Sequence, residues 1–211
     1  MFKIDLHVHS KFSGDSSAEP EDIIERAIEL GLDGIAFTEH YSYEASEPVE
    51  GLKEKYYGHI LIFRGVEFST LEGHCLVFGV NTDRLGLSLP PVSELIEIVN
   101  RKGGVVIPTH PFRGSNSLGD ALLTINGFAA IEGYNGYNHH MFNQRAIEVA
   151  NRLNLPYTGG SDAHDHNEVG QCYTEFFVPV TEDGLVEALK SGKYRGVDIR
   201  KISRAYPDGF F

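Results

Sequence analysis

Residues 2–9 read Phe2-Lys3-Ile4-Asp5-Leu6-His7-Val8-His9, a segment in which apolar and polar residues alternate. A period of two predicts a β-strand, because successive side chains of a strand point to opposite faces. Asp5, His7 and His9 therefore share one face of this strand. Imidazole and carboxylate groups together are ligands for Zn²⁺, Mn²⁺ or Fe²⁺, and packing gives no other reason to place them on one face. The segment thus predicts a strand that carries part of a metal site.

Strand-like and helix-like patterns alternate along the remaining sequence. The further predicted strands cover residues 34–38, 60–68, 74–80, 105–108, 129–134 and 173–180. The predicted helices cover residues 19–31, 91–102, 139–153 and 182–191, with a weaker helical pattern over 115–126. Such alternation indicates βα units and a mostly parallel sheet. Because the chain has no glycine-rich phosphate loop, an α/β barrel is favoured over an open doubly wound sheet.

Composition limits the classes of protein to which the chain can belong. Its 211 residues are 41% hydrophobic, which predicts a single domain spanning residues 1–211. The net charge of −12 weighs against binding to long nucleic acids or to anionic membranes. Two cysteines, Cys75 and Cys172, are too few for a disulfide framework and predict a reducing, cytoplasmic setting. The sequence shows no export signal or apolar run of membrane length, so no membrane partner is expected.

Further histidine clusters follow the other predicted strands. They are Thr38-Glu39-His40, Gly73-His74, Thr109-His110-Pro111 and Gly160-Ser161-Asp162-Ala163-His164. Glu67 lies at the end of a predicted strand, and Asp15 lies in a polar loop that could also form a simple turn. In α/β barrels the catalytic groups lie at the carboxyl ends of the strands. The pattern therefore predicts a metal centre at one end of a barrel.

Four motifs resemble those of the PHP (polymerase and histidinol phosphatase) family of metal-dependent phosphoesterases. They are Asp5-x-His7-x-His9-Ser10, Thr38-Glu39-His40, Thr109-His110-Pro111 and the segment 160–164, and they occur in the family's order over nearly the whole chain. The resemblance implies a distorted (β/α)7 barrel that holds three divalent metal ions. The second motif departs from the usual Thr-Asp-His of the family, but its acid is not an expected ligand.

The resemblance also implies how the ligands divide among the ions. One ion is expected on His7, His9, Glu67 and Asp162, a second on Glu67, His74 and His110, and a third on Asp15, His40 and His164. Glu67 would bridge the first two ions. Glu132 matches a family position near the site, where it would support the ligands. The choice among zinc, manganese and iron stays open.

The function that the resemblance implies is hydrolysis of a phosphate monoester. Metal ions lower the pKa of bound water, so a metal-bound hydroxide is the expected nucleophile, and no serine or cysteine nucleophile is indicated. The expected substrate is a small phosphorylated metabolite, a nucleotide or phosphotyrosine. Arg113, three residues after His110, either binds the phosphate through its planar guanidinium or forms only a surface salt bridge.

Three alternative functions remain open at this point. The same chemistry could cleave a phosphodiester, as an exonuclease acting on short nucleic acids does. Related metal barrels hydrolyse amides or rings, but that reading predicts a carboxylated lysine ligand, and no lysine ends a predicted strand. The chain could also be a non-catalytic metal-binding module, although its set of ligands looks complete.

Overall fold

A computed structural model describes residues 1–200, which form a mixed α/β fold. The strands are β1 (Phe2–Val8), β2 (Gly34–Phe37), β3 (Leu61–Arg64), β4 (Val66–Ser69), β5 (His74–Phe78), β6 (Val105–Pro108), β7 (Ile131–Asn135), β8 (Tyr157–Gly160), β9 (Cys172–Phe176) and β10 (Tyr194–Asp198). The α-helices are α1 (Pro20–Glu29), α2 (Glu50–Lys55), α3 (Val92–Arg101), α4 (His140–Leu153) and α5 (Leu185–Lys190). None of the helices within residues 1–200 has the length and apolar character needed to cross a lipid bilayer.

The strands form three sheets. The first has the order β10-β9-β1-β2-β3, the second β4-β5-β6, and the third consists of β7 and β8. Pairing is parallel from β1 through β3 and between β7 and β8, whereas β9 and the whole second sheet pair in the antiparallel sense. Parallel pairing is thus less extensive than the sequence pattern predicts. One reason is the short turn after β4, because so short a connection can join only antiparallel strands.

Backbone contacts join the edges of the three sheets. His40, which follows β2, forms a bridge with Glu67 of β4. The N–H of Ala129 donates to the carbonyl of Val106 in β6 (3.1 Å), and the N–H of Asp162 donates to the carbonyl of His7 (2.7 Å). Within residues 1–200 these bonds link the sheets without forming one continuous ladder. A fully closed (β/α)7 barrel, and its single-domain organisation, therefore remain predictions.

A glycine divides one predicted strand into two. The predicted strand over 60–68 is interrupted at Gly65, so that β3 and β4 belong to different sheets. A Cβ at Gly65 would lie 2.5 Å from the Phe78 ring and 2.9 Å from the carbonyl oxygen of Val77. Only glycine permits this close approach. The interruption separates β3, which pairs with β2, from β4, which carries Glu67.

Helices α1 and α3 pack on the sheets through the apolar faces that their sequences predict. Helix α1 has Pro20 in its first turn, as the sequence indicates, and its apolar face packs with residues of β2. Helix α3 packs on the second sheet. The buried residues of these faces are Ile23, Ile24 and Ala27 in α1, and Val92, Leu95, Ile96 and Val99 in α3.

Elements that differ from the sequence prediction include α2, β8, β10 and the predicted helix over 115–126. Helix α2 lies in the polar stretch 41–58, where the charged sequence has no apolar period that would reveal a helix. Strand β10 was not predicted, because it contains Gly196 and glycine is a weak strand former. Glycine is needed there, since a Cβ would lie 2.5 Å from the carbonyl oxygen of Thr158. The predicted helix over 115–126 shortens to a 3₁₀ turn over Gly119–Leu123.

Candidate metal centre

The side chains predicted as ligands converge at one end of the sheets. His7 and His9 lie at the carboxyl end of β1, and Glu67 lies in β4. The antiparallel pairing of β4 and β5 brings His74 beside Glu67. Asp15 follows a 3₁₀ turn over Lys11–Ser13, and the other candidates follow the ends of β2, β6 and β8, at positions His40, His110, Asp162 and His164. The nine positions thus reach one region from six separate stretches of chain.

Four buried side chains form the first group of donor atoms. His7 Nε2 and His9 Nε2 lie 3.1 Å apart. Glu67 Oε2 lies 3.5 Å from each of these nitrogens, and Asp162 Oδ1 lies 3.4 Å and 3.3 Å from them. Ligands of a tetrahedral cation that are each about 2.0–2.1 Å from the ion lie about 3.3–3.4 Å from one another. The spacing of the four atoms therefore fits a cation at their centre.

Two further groups of donors adjoin the first. Asp15 Oδ2 lies 3.0 Å from His40 Nε2 and 3.3 Å from His164 Nε2, and His9 completes this group. Glu67 Oε2 lies 3.1 Å from His40 Nδ1, and Glu67 Oε1 lies 3.3 Å from His74 Nδ1. Glu67 therefore belongs to two groups, which is the geometry of a bridging carboxylate.

The contacts of His110 and His40 differ from the division that the resemblance implies. His110 Nε2 lies 2.8 Å from Glu67 Oε1, within hydrogen-bonding distance, and it also contacts Thr109 Oγ1. His40, by contrast, faces both Asp15 and Glu67 with its two ring nitrogens. All nine predicted residues meet, but the geometry groups His40 with Glu67 and His74, a pairing that the sequence did not predict.

Electrostatic interactions among these groups change their pKa values strongly. Burial opposes ionisation of Glu67, but the charge of His7 and the hydrogen bond from His110 hold its pKa well below the usual value. Burial also disfavours the charged form of His7, yet Asp162, Glu132 and Glu67 raise its pKa well above the usual value. Burial lowers the pKa of His9 to about 4, so that its imidazole is neutral near pH 7 and one ring nitrogen has a lone pair available for a cation.

Unpartnered nitrogens support the fit between these residues and a cation. The buried Nδ1 atoms of His40, His74 and His110 have no hydrogen-bond partner among the described residues. A buried polar atom without a partner costs free energy, commonly about 1–3 kcal/mol, so a native structure normally satisfies it. Those of His40 and His74 face the carboxylate of Glu67. A cation between them and Glu67 would satisfy both nitrogens.

Glu132 and Asn135 hold the first group in position. The Nδ1–H of His7 donates to Glu132 Oε1 (2.8 Å), which leaves Nε2 free to face the other donors. Glu132 Oε2 accepts from the N–H of His110 (2.7 Å) and from Asn135 Nδ2 (3.0 Å). Asn135 Nδ2 also donates to Asp162 Oδ2 (3.1 Å). The sequence pointed to Glu132, whereas Asn135, the last residue of β7, was missed.

Other buried groups hold the loops that carry ligands. The side chain of Ser13 contacts His9 Nδ1 (2.9 Å) and accepts from the N–H of His40 (3.0 Å). Glu39 accepts from the hydroxyl and N–H of Ser10, and burial raises its pKa to about 7. Glu39 thus supports the loop that carries His40 and lies outside the three donor groups.

Two ligand candidates have backbone conformations that non-glycine residues rarely adopt. His110 has φ 29° and Asp162 has φ 55°. Such conformations cost about 1–3 kcal/mol each and concentrate at functional sites. The hydrogen bonds of both residues to neighbouring strands hold them in place, because the N–H of His110 binds Glu132 and that of Asp162 binds His7.

The donor groups lie at the bottom of an open cleft of about 520 Å³. Arg113 extends into it, with Nη1 2.6 Å from Asp162 Oδ2 and the guanidinium 5.6 Å from the Tyr137 ring. Tyr41 and Tyr137 line the cleft and are largely exposed. Arg113 therefore lies beside the predicted metal centre and forms an ion pair with one of its candidate ligands, Asp162. Tyr137 also lines the cleft, and the sequence did not indicate this position.

Replacement of Gly160 by alanine tests how tightly β8 packs against the centre. A Cβ there would overlap with His7 Cβ and would lie 3.1 Å from Glu132 Oε1. We expect a loss of about 1–3 kcal/mol of unfolding free energy, because the added methyl group would displace the side chain of His7 or of its partner Glu132. Thermal unfolding measures the loss. Gly51→Ala is the matched control, because no atom lies near a Cβ at Gly51 in α2. A melting temperature of Gly160→Ala equal to that of the control would contradict this packing.

The sequence matches two family models that together cover most of the chain. Residues 5–107 match the PHP domain, and residues 140–194 match the PHP-associated region. The chain belongs to the PHP domain family. Its membership, together with the clustered histidines and carboxylates, makes this PHP protein a metal-dependent phosphoesterase and therefore a hydrolase.

The PHP protein is similar in sequence to two relatives and in fold to one solved structure. An uncharacterized protein of Methanocaldococcus jannaschii is 29% identical over 147 residues, which cover 64% of this chain and 83% of that protein. A probable histidinol-phosphatase of Thermotoga maritima is 43% identical over 54 residues, but these cover 26% of this chain and 23% of the relative. The crystal structure of PsfC from Pseudomonas syringae superposes with a TM-score of 0.70 at 21% identity, covering 93% of this chain and 91% of that chain. This likeness supports the fold alone.

Proposed function

We propose that this PHP protein hydrolyses phosphate monoesters of small molecules at a centre of three divalent cations. The convergence of nine imidazole and carboxylate side chains around Glu67 carries the proposal. Eight of these side chains place donor atoms in three adjoining groups, and Glu67 belongs to two of them. His110 Nε2 lies beside the groups, 2.8 Å from Glu67 Oε1. Imidazole and carboxylate together suit zinc, manganese or iron, and each of these ions fits the proposal. The similarity to a probable histidinol-phosphatase of Thermotoga maritima supports a monoester substrate.

Each group of donors has a distinct role in this proposal. His7, His9, Glu67 and Asp162 would hold one cation, and Asp15, His40 and His164 would hold another. Glu67, His74 and His110 would hold the third, with His40 near enough to share it. When bound, such cations lower the pKa of water toward neutrality and neutralise the charge of phosphate oxygens.

The chain's own residues orient the ligands and the substrate. Glu132 fixes the ring of His7 through Nδ1, so that Nε2 faces the centre. Asn135 and Arg113 bind Asp162 Oδ2 and leave Oδ1 directed at His7 and His9. Arg113 has further N–H groups in its planar fork, and its side chain is 27% exposed in the cleft. It would bind an oxygen of the substrate phosphate with these groups.

A combined measurement of metal content and turnover tests the function. Protein purified with added Mn²⁺, Zn²⁺ or Fe²⁺ is expected to contain about three ions per chain by elemental analysis. It should release phosphate from one or more of phenyl phosphate, nucleoside monophosphates, phosphotyrosine and histidinol phosphate. A chelator should abolish this activity, and the added ion should restore it.

Two outcomes would overturn the proposal. Cleavage of bis(p-nitrophenyl) phosphate with no release from any monoester would favour a phosphodiesterase. Metal binding without hydrolysis of any ester would favour a non-catalytic module.

A further inference from the structure

A second cavity lies next to the metal cleft, and we call it the apolar groove. Its volume is about 360 Å³, and it is lined by Tyr41, Phe68, Ser69, Leu87, Ser88 and Leu89. Tyr41 also lines the metal cleft, so this one side chain borders both cavities. A molecule bound at the metal centre would therefore reach the apolar groove by passing Tyr41.

The two cavities differ in their charge. Carboxylates and histidines line the metal cleft, together with Arg113. No Asp, Glu, Lys, Arg or His lines the apolar groove, whose polar side chains are two serines and the hydroxyl of Tyr41. A charged or strongly polar group would lose hydration in such a groove without gaining partners, whereas an apolar group would gain by leaving water.

Two large side chains of the groove are exposed on unfavourable backbone conformations. Tyr41 has φ 65° and is 73% exposed, and Leu89 has φ 48° and is 53% exposed. Large exposed apolar side chains on a strained backbone gain little from the fold itself. Strained residues of this kind concentrate at ligand sites, so these two side chains are candidates for contact with a bound molecule.

A larger cavity elsewhere does not compete for this role. It measures about 580 Å³ and lies at the amino ends of β1 and β3, with Phe2 and Leu61 in its wall. It shares no lining residue with the metal cleft. A group attached to a phosphate at the centre therefore reaches the apolar groove and not the larger cavity.

From this geometry we propose that the apolar groove binds an uncharged apolar or aromatic part of the leaving group of the substrate. The inference rests on the proposed function, because the phosphate of the same molecule must occupy the metal cleft. The preferred substrates are then phosphate esters of alcohols or phenols that carry an apolar group a short distance from the ester oxygen. Esters of sugars and other strongly polar alcohols are poorer substrates.

Binding of two phosphonates that cannot be hydrolysed tests the groove separately from catalysis. The probes are 4-phenylbutylphosphonate and methylphosphonate, each titrated by calorimetry into the metal-loaded protein. Burial of the phenyl group is expected to give the first probe an affinity about tenfold or more higher. Leu89→Asn should bring this ratio close to one and leave methylphosphonate unchanged. Asparagine suits the left-handed backbone at this position, so the variant is expected to fold.

Two further variants complete the test. Leu87 lines the same groove, so Leu87→Asn should also lower the ratio of the affinities for the two phosphonates. This variant replaces Leu89→Asn in the test if Leu89→Asn does not fold. Leu71→Asn is the control, since Leu71 is 63% exposed but does not line the groove. Equal affinities of the unaltered protein for both probes, or an unchanged ratio in both groove variants, would overturn the inference. A ratio that falls as expected, in a protein that hydrolyses no ester, would support the groove and overturn the proposed function alone.

Discussion

Replacement of Glu67 by glutamine is expected to abolish turnover and to deplete the protein of metal while the fold persists. Glu67 Oε2 lies 3.1 Å from His40 Nδ1, and Oε1 lies 3.3 Å from His74 Nδ1. Glutamine keeps the shape of the side chain but offers one neutral oxygen and a donor group, which cannot bridge two cations. Loss of several kcal/mol of charge stabilisation corresponds to a fall of about 10³-fold or more in kcat. Phosphate release and elemental analysis measure the two effects.

A matched buried carboxylate provides the control for this variant. Glu175 of β9 is 6% exposed and pairs with Arg195 (2.8 Å), away from the donor groups. Glu175→Gln should therefore retain both metal and activity, with any cost limited to stability. Turnover by Glu67→Gln at a level near that of Glu175→Gln would refute the bridging role of Glu67.

Replacement of Asp162 should be nearly as damaging, and asparagine is the more informative substitution. Asp162 Oδ1 faces His7 and His9, while Oδ2 binds Arg113 and Asn135. Alanine would remove the ligand but would also be strained at φ 55°, whereas asparagine tolerates this conformation. We expect Asp162→Asn to fold normally and to lose about 10²-fold or more in kcat, because one anionic ligand is lost from a buried group.

Circular dichroism and steady-state kinetics together check this expectation. Asp162→Ala and His9→Ala should likewise abolish turnover, with an added loss of stability at position 162. Asp33→Asn is the control, since Asp33 precedes β2 at the opposite end of the sheet and is exposed. Full activity of Asp162→Asn would show that the four-atom group does not hold a catalytic cation.

The sequence predicts the site better than it predicts the sheets. The alternation of β1 places His7 and His9 on one face, and short motifs at strand ends mark His40, His110 and Asp162. These signals are local, because a strand of period two and its following loop determine where the side chains point. The structure places His7, His9, His40 and Asp162 in the donor groups and His110 beside Glu67, and their role as metal ligands stays a prediction.

Features that depend on contacts distant in sequence could not be predicted in this way. The break at Gly65 arises from its close contact with Phe78, which lies on another strand. The position of His40 between Asp15 and Glu67 depends on two ring nitrogens whose directions no spacing reveals. Asn135 was missed for the same reason, since its partners lie in other elements.

The first donor group draws its members from all three sheets. His7 lies in the five-stranded sheet and His9 directly follows its strand, Glu67 lies in the antiparallel sheet, and Asp162 lies two residues after the two-stranded sheet. An ion held there would crosslink the three sheets through side chains, in addition to the backbone bonds that join their edges. Mass action then ties folding to ion supply, adding about 2.7 kcal/mol when the free ion exceeds its dissociation constant a hundredfold. The cation would be part of the architecture as well as of the chemistry.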